Sequence, residues 1–235
     1  MAHHWGLIVD LDRCTGCGAC VVACHAENNI STVGDQQASI GRAKHWMRVE
    51  RYWEGEFPNA RLRYQPVMCQ QCNDAPCEPV CPTYASYHNP EGLNAQVYNR
   101  CVGTRYCANA CPYNTRFFNF FNPIWEKPLD LQLNPDVSVR EVGVMEKCTF
   151  CIQRIKTVEI QAAAEKREVR DGEIVPACAQ SCPPGALIFG DLNNPESEAA
   201  HLSNSNRATR LMEELQTRPN VTYLKQESWH DGKIS

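Results

Sequence analysis

The chain has 235 residues, with 23 lysines and arginines against 27 aspartates and glutamates, for a net charge of −4. So even a balance gives no broad basic footprint, and nucleic acid is not an expected partner. No apolar run reaches the roughly 18 residues a membrane-crossing helix needs, and the start, MAHHWGLIVDLDRC, lacks the pattern of a secretory signal.

In chain order, WGLIVDLD predicts a strand and runs into the first cysteine group, Cys14, Cys17, Cys20 and Cys24. Residues 25–68 read as an insertion. Within it, MRVERYW alternates apolar and charged residues as a strand does. Arg42, Lys44, Arg48 and Arg51 read there as a solvated or partner-facing surface. His45 reads as a surface or interface residue, with a place beside a quinone or a cluster as the alternative. RYQPVM predicts a strand before the second group, Cys69, Cys72, Cys77 and Cys81. LNAQVYN predicts one before the third, Cys101, Cys107 and Cys111. Residues 113–140 are rich in aromatics and prolines, and both core packing and a docking surface fit that composition. VGVME predicts a strand before the fourth group, Cys148, Cys151, Cys178 and Cys182, whose long gap holds the helix-forming stretch IQRIKTVEIQAAAEKRE and a turn at Asp171-Gly172. GALIFGDL predicts a closing strand. The polar tail beyond Gly190 predicts a helix near ATRLMEELQ and reads as a cap or an arm.

The 15 cysteines carry the chemistry. An odd count and close spacing disfavour disulfides. The first group has the spacing by which bacterial ferredoxins hold an iron–sulfur cubane, and the others vary on it. Each ends in Cys-x3-Cys, and three continue into proline (Pro82, Pro112, Pro183). Only the fourth group could pass for a zinc site. Cys24-His25 is not a haem attachment motif, because Val21 stands where the first cysteine would be. No glycine-rich phosphate loop, nucleophile elbow or His-Glu-x-x-His motif is present, so nucleotide, flavin and hydrolase chemistry has no local support.

In two-cluster ferredoxins the fourth cysteine of each group ligates the other cluster. The simplest nesting then pairs the first group with the fourth and the second with the third. Cys14, Cys17, Cys20 and Cys182 hold one [4Fe–4S] cluster; Cys148, Cys151, Cys178 and Cys24 hold its partner; Cys69, Cys72, Cys77 and Cys111 hold a third. Cys101, Cys107 and Cys81 remain, with Thr104 where the fourth ligand should be. Threonine supplies no thiolate, so this corner predicts a [3Fe–4S] cluster; a four-iron cluster with a hydroxyl, water or other ligand there is the alternative. The expected fold class is α+β, two fused ferredoxin-like, double-cubane modules with interleaved cysteine groups. Residues 1–65 and 136–190 form an outer module, 66–135 an inner one, and 191–235 the tail. Clusters so fully ligated suit electron relay rather than catalysis.

These four groups, in this order, resemble the four-cluster electron-transfer subunit of the dimethyl sulfoxide reductase, or complex iron–sulfur molybdoenzyme, family. VVACHAENNI, GRAKHWMRVERYW, VYNRCVGTRYCANACPYNTRFFNFF, GVMEKCTFCIQRIK and DGEIVPACAQSCP are similar to the iron–sulfur portion of alternative complex III; menaquinone reductase iron–sulfur subunits are the related candidate. The resemblance implies electron relay in a membrane quinone oxidoreductase. It implies as partners a large molybdopterin-fold subunit, a polytopic quinone-binding membrane subunit and, in some assemblies, cytochrome c subunits. It puts the three-iron centre at the quinone end. Export beside a signal-bearing partner makes the periplasmic face the expected side, with a cytoplasmic-facing complex as the alternative. Two other functions stay open: the wire of a molybdenum enzyme acting on a sulfur or arsenic oxyanion, and a free-standing polyferredoxin.

Overall fold

The computed structural model describes residues 3–226. Its first strand, β1 (Trp5–Asp10), is buried at every position. A run such as WGLIVD has no polar face to offer solvent, so both its faces need cover. Leu7 and Val9 enter the main core, while Ile8 turns to a smaller cluster on the other side.

Helix α1 (Ala19–Glu27) carries Cys20 and Cys24 on its buried side. The insertion follows, with α2 (Asp35–Ser39) and an antiparallel hairpin of β2 (Met47–Glu54) and β3 (Arg61–Met68), in register from Met47↔Met68 to Glu54↔Arg61. The hairpin's base is buried and its tip exposed, which delivers the chain from solvent into the second cysteine group. Next come the short hairpin β4 (Ser86–His88) with β5 (Asn94–Gln96), helix α3 (Tyr106–Asn109), and β6 (Phe117–Phe118), which pairs with β7 (Met145–Glu146). Helix α4 (Ile152–Ala164) fills the long gap of the fourth group. Helix α5 (Ala177–Gln180) carries Cys178, and β8 (Leu187–Asp191) closes antiparallel to β1. Helix α6 (Glu198–Ser203) lies on the sheet, capped by Ser197 Oγ, which accepts from the Ala200 amide at 3.1 Å. Gly190 makes room for it, because a Cβ there would stand 2.9 Å from that of Ala199.

The tail departs from a cap or free arm. After β9 (Ala208–Thr209), strand β10 (Val221–Leu224) inserts parallel to β1, giving the sheet order β8-β1-β10-β9. The helix expected over 208–216 is absent; a single 3-10 turn at Glu213–Leu215 stands there, flanked by left-handed Met212 and Gln216. Met212 and Leu215 are about half exposed, so no apolar stripe exists to hold a longer helix. The strands expected at LNAQVYN and VGVME shrink to β5 and β7, with a 3-10 turn over Tyr98–Arg100. Residues 227–235 of the expected tail lie outside the described residues.

Candidate functional site

Each cysteine group bends in the same way. The residue before the second position is left-handed in all four groups: Gly16 (φ 69°), Gln71 (48°), Gly103 (72°) and Phe150 (54°). Thr104 thus follows Gly103 as Cys17 follows Gly16, so the backbone makes it the counterpart of a cysteine. Gly103 is required twice over. Its φ suits glycine, and a Cβ there would come within 2.3 Å of the Gly143 carbonyl oxygen.

Four small cavities gather the cysteines. One is lined by Cys14, Cys17, Cys20 and Cys182, a second by Cys24, Cys148, Cys151 and Cys178. A third is lined by Cys69, Cys72, Cys77 and Cys111. The last has Cys81, Cys101 and Cys107 with Thr104. Every cavity therefore mixes cysteines from two groups, first with fourth and second with third. The sulfurs surround space rather than meet at a point: among the described residues, no three His, Cys, Asp or Glu side chains gather as a single ion requires.

Main-chain and side-chain donors point at the sulfurs. The amide of Ala85 donates to Cys81 Sγ and that of Ala186 to Cys182 Sγ, each at 3.2 Å and each four residues on. Met145 N–H reaches Cys101 Sγ at 3.3 Å and Phe150 N–H reaches Cys148 Sγ at 3.5 Å. Asn28 Nδ2 lies 3.7 Å from Cys24 Sγ and 3.8 Å from Cys151 Sγ. Arg116 Nη1 donates to Cys77 Sγ at 3.1 Å. Such donors favour thiolate and help set the potential of a bound cluster.

Burial works the other way. It pushes the Cys20 thiol up to about 11 and the Cys72 and Cys148 thiols up to about 12, with neighbouring thiolates adding to the rise. Burial and neighbouring thiolates likewise push the Cys24 and Cys178 thiols well above the usual thiol value. At Cys81 burial is opposed and outweighed by the Ser86, Thr83 and Ala85 amides, and its pKa falls. Cages of crowded, buried sulfurs fringed with N–H donors are costly as empty thiolates. They fit an iron–sulfur cluster, whose iron supplies the positive charge they lack.

The cages adjoin in series. Cys20 and Cys24, on one helix, line the first and the second. Gln71 Nε2, in the loop of the third, donates to the carbonyl of Cys148 of the second at 2.8 Å, and Cys77 and Cys81, four residues apart, line the third and the last. Cys17 opens the first cage to solvent and Thr104 the last, while the cysteines of the second are all buried.

The predicted surroundings fared unevenly. His45 is exposed, its Nδ1 3.0 Å from His25 Nε2. Lys44 is not on a solvated basic face: it is buried, with its Nζ 3.0 Å from Glu146 Oε1, and Arg140 Nε lies 2.6 Å from Glu146 Oε2. The aromatic segment divides, Tyr113 packing into the inner core and Ile124, Leu129 and Leu131 lying exposed. Sequence reasoning overlooked Arg116, Asn28 and Lys147. Lys147 is fully buried and donates to the Cys148 carbonyl at 2.9 Å. The one available signal was position: Arg116 stands five residues after Cys111, and Lys147 immediately before Cys148.

Fold and cages together define an iron–sulfur protein of the ferredoxin type. The 4Fe-4S dicluster domain family matches residues 13–85 and again residues 60–128. The first match runs across the first and second groups in sequence, whereas the cavities join the first group to the fourth. The chain is 46% identical to the menaquinone reductase iron–sulfur cluster-binding subunit of Nitratidesulfovibrio vulgaris, over 96% of this chain and 90% of that protein. It is 36% identical to the Hdr-like menaquinol oxidoreductase iron–sulfur subunit 1 of Archaeoglobus fulgidus, over 95% and 84%. Identity to the arsenate respiratory reductase iron–sulfur subunit of a Shewanella species is 31%, over 94% and 95%. The chain belongs to this family of iron–sulfur subunits of menaquinone and dimethyl sulfoxide, polysulfide and arsenate reductases.

Proposed function

We propose that this chain is the electron-transfer subunit of a membrane-bound, menaquinone-linked oxidoreductase, holding three [4Fe–4S] clusters and one [3Fe–4S] cluster. The observation that carries the reading is the series of four cysteine cages, opened at one end by Cys17 and at the other by Thr104. Clusters bound there would supply one-electron exchange between a quinone site and another redox centre.

The ligands would be the four sets that line the cavities, with Thr104 at the corner without a thiolate. The outer module (1–65 and 136–190) would hold the first two sets and the inner module (66–135) the others. The chain's own part is to bind and tune. Ala85, Ala186, Met145 and Phe150 offer amides to sulfur, and buried side chains around the second set keep water away. Identity of 46% to a menaquinone reductase subunit, against 31% to an arsenate reductase subunit, favours a quinone-linked complex over a molybdenum oxyanion reductase.

Among the described residues no helix is long and apolar enough to cross a membrane. The reading takes as partners a polytopic quinone-binding membrane subunit and a large molybdopterin-fold subunit, with cytochrome c subunits in some assemblies. It places the chain peripherally, on the periplasmic face of the membrane.

The test is iron analysis with electron paramagnetic resonance on membranes holding the complex, before and after a menaquinol analogue. Iron matching three four-iron centres and one three-iron centre, with signals that change on quinol addition, is the expected result. Zinc in place of iron, or centres indifferent to quinol and quinone alike, would overturn it.

A further inference from the structure

Arg116 is buried at 5% exposure; it lines the third cage, and its Nη2 bonds Gln96, which lines the last. Its Nη1 donates to Cys77 Sγ at 3.1 Å and to Asn94 Oδ1 at 3.0 Å; its Nη2 donates to Ser86 Oγ at 2.9 Å and to Gln96 Oε1. Every oxygen in that set is uncharged. Two other buried cations, Lys44 and Arg140, share the Glu146 carboxylate, and a third, Lys147, donates to the Cys148 carbonyl. A guanidinium keeps its charge at any ordinary pH, and a buried charge without a counter-charge is strongly disfavoured. The anion in direct contact with Arg116 is the Cys77 thiolate, 3.1 Å from Nη1; the Glu78 carboxylate is reached only through Asn94, and Gln96 leads to the cage of Cys81, Cys101 and Cys107.

We propose that Arg116 is the counter-charge shared by the two inner centres, and that its fixed positive charge raises both reduction potentials. The inference rests on the reading of those two cages as cluster sites. Reduction adds one electron, and so one unit of negative charge, to a centre whose potential follows net charge and hydrogen bonding to sulfur. A cation held in a low-dielectric interior favours the reduced form. Because one guanidinium lines the third cage and bonds a residue lining the last, it acts on the pair together and sets them apart from the two outer centres. The bonds to Ser86, Asn94 and Gln96 fix its plane against the β4–β5 hairpin, so its distance to sulfur does not drift.

A purely structural clamp would make the same hydrogen bonds, and a potential separates the two roles. The experiment uses the holoprotein in its complex, titrated with dithionite and ferricyanide and followed by electron paramagnetic resonance, with iron measured on each sample. The oxidised three-iron signal reads one inner centre directly. Arg116→Gln removes the charge, and Arg116→Lys keeps it. Gln96→Glu leaves Arg116 in place and sets a carboxylate against Nη2. The expected result is a downward shift of the inner midpoints in Arg116→Gln and Gln96→Glu, near-native midpoints in Arg116→Lys, and unmoved outer centres. Loss of inner iron in Arg116→Gln leaves Gln96→Glu to decide. Full iron with unmoved inner midpoints, or an equal shift of all four centres, overturns the role of Arg116 alone. Native protein without iron overturns the cluster reading itself.

Discussion

The hydroxyl of Tyr223 donates to the main-chain carbonyl of Pro66 at 2.9 Å, so the last described strand is tied to the strand that leads into the second cysteine group. Tyr223 itself is 1% exposed. The C-terminal part of the chain is thus structural to the cages, although it holds no cysteine. Leu224 shows why: it is 1% exposed and packs with Ile8 and Ala199 between sheet and helix. Leu224→Ala is expected to cost about 2–5 kcal/mol by cavity formation. Leu215→Ala, at a half-exposed position, is expected to stay within about 0.5 kcal/mol. Denaturant midpoints of the two holoproteins check this; equal effects would mean that β10 does not carry the sheet.

Glu146 is the second structural dependency. Its carboxylate is fully buried and faces two cations, Arg140 and Lys44. Glu146→Gln would leave both charges buried without an anion, a loss of about 3–5 kcal/mol. The same change should expose the link between residues 25–68 and the β6–β7 pair, because Lys44 lies in the first and Glu146 in the second. A thermal scan of the variant showing near-native unfolding would contradict that account.

Asn29 holds the largely exposed stretch of residues 123–140. It is buried and left-handed, and its Nδ2 donates to the carbonyls of Asn134 at 2.9 Å and Val137 at 2.6 Å, while its Oδ1 accepts from Asn134 N–H at 2.8 Å. Asn29→Gly keeps the backbone conformation accessible and removes only the side-chain bonds. Orphaned buried groups cost about 1–3 kcal/mol each, so residues 123–140 should be cleaved several-fold faster in limited proteolysis. An unchanged cleavage rate would show that the tether is dispensable.

Much of this was legible in advance, and the physical reason differs by feature. Which cysteines line a cavity together follows the rule read from two-cluster ferredoxins, in which the fourth cysteine of each group serves the other cluster. Strand β1 could be read because WGLIVD has no polar face. Strand β10 could not: VTYL is four residues long, and the partner that makes it a strand is Leu7–Asp10, at the other end of the chain. The expected helix over 208–216 failed on the same ground, since its composition allowed a helix but the core offered it no groove. Arg116, Lys44 and Lys147 look like surface residues in any window. Their burial depends on anions that arrive from distant groups, Glu146 for Lys44 and the cage thiolates for Arg116.

Thr104 gives the sharpest remaining test. It is exposed, as its counterpart Cys17 is, and the left-handed Gly103 before it already has the backbone that precedes a cysteine in the other three groups. A cysteine placed there needs no backbone change to reach the cavity lined by Cys81, Cys101 and Cys107. With three thiolates, an oxidised sample should show the paramagnetic signal of a three-iron centre at about one spin per chain, since oxidised four-iron centres are silent. Thr104→Cys should abolish that signal and add about one iron per chain. Thr104→Ser, with the same hydroxyl and no thiol, should leave both values where they were. The opposite pattern, a silent native sample with iron for four complete cubanes, would mean that oxygen from Thr104 or water closes the corner. In that case the Cys81 cage would hold a four-iron centre whose unusual ligand, rather than a missing iron, sets its potential apart.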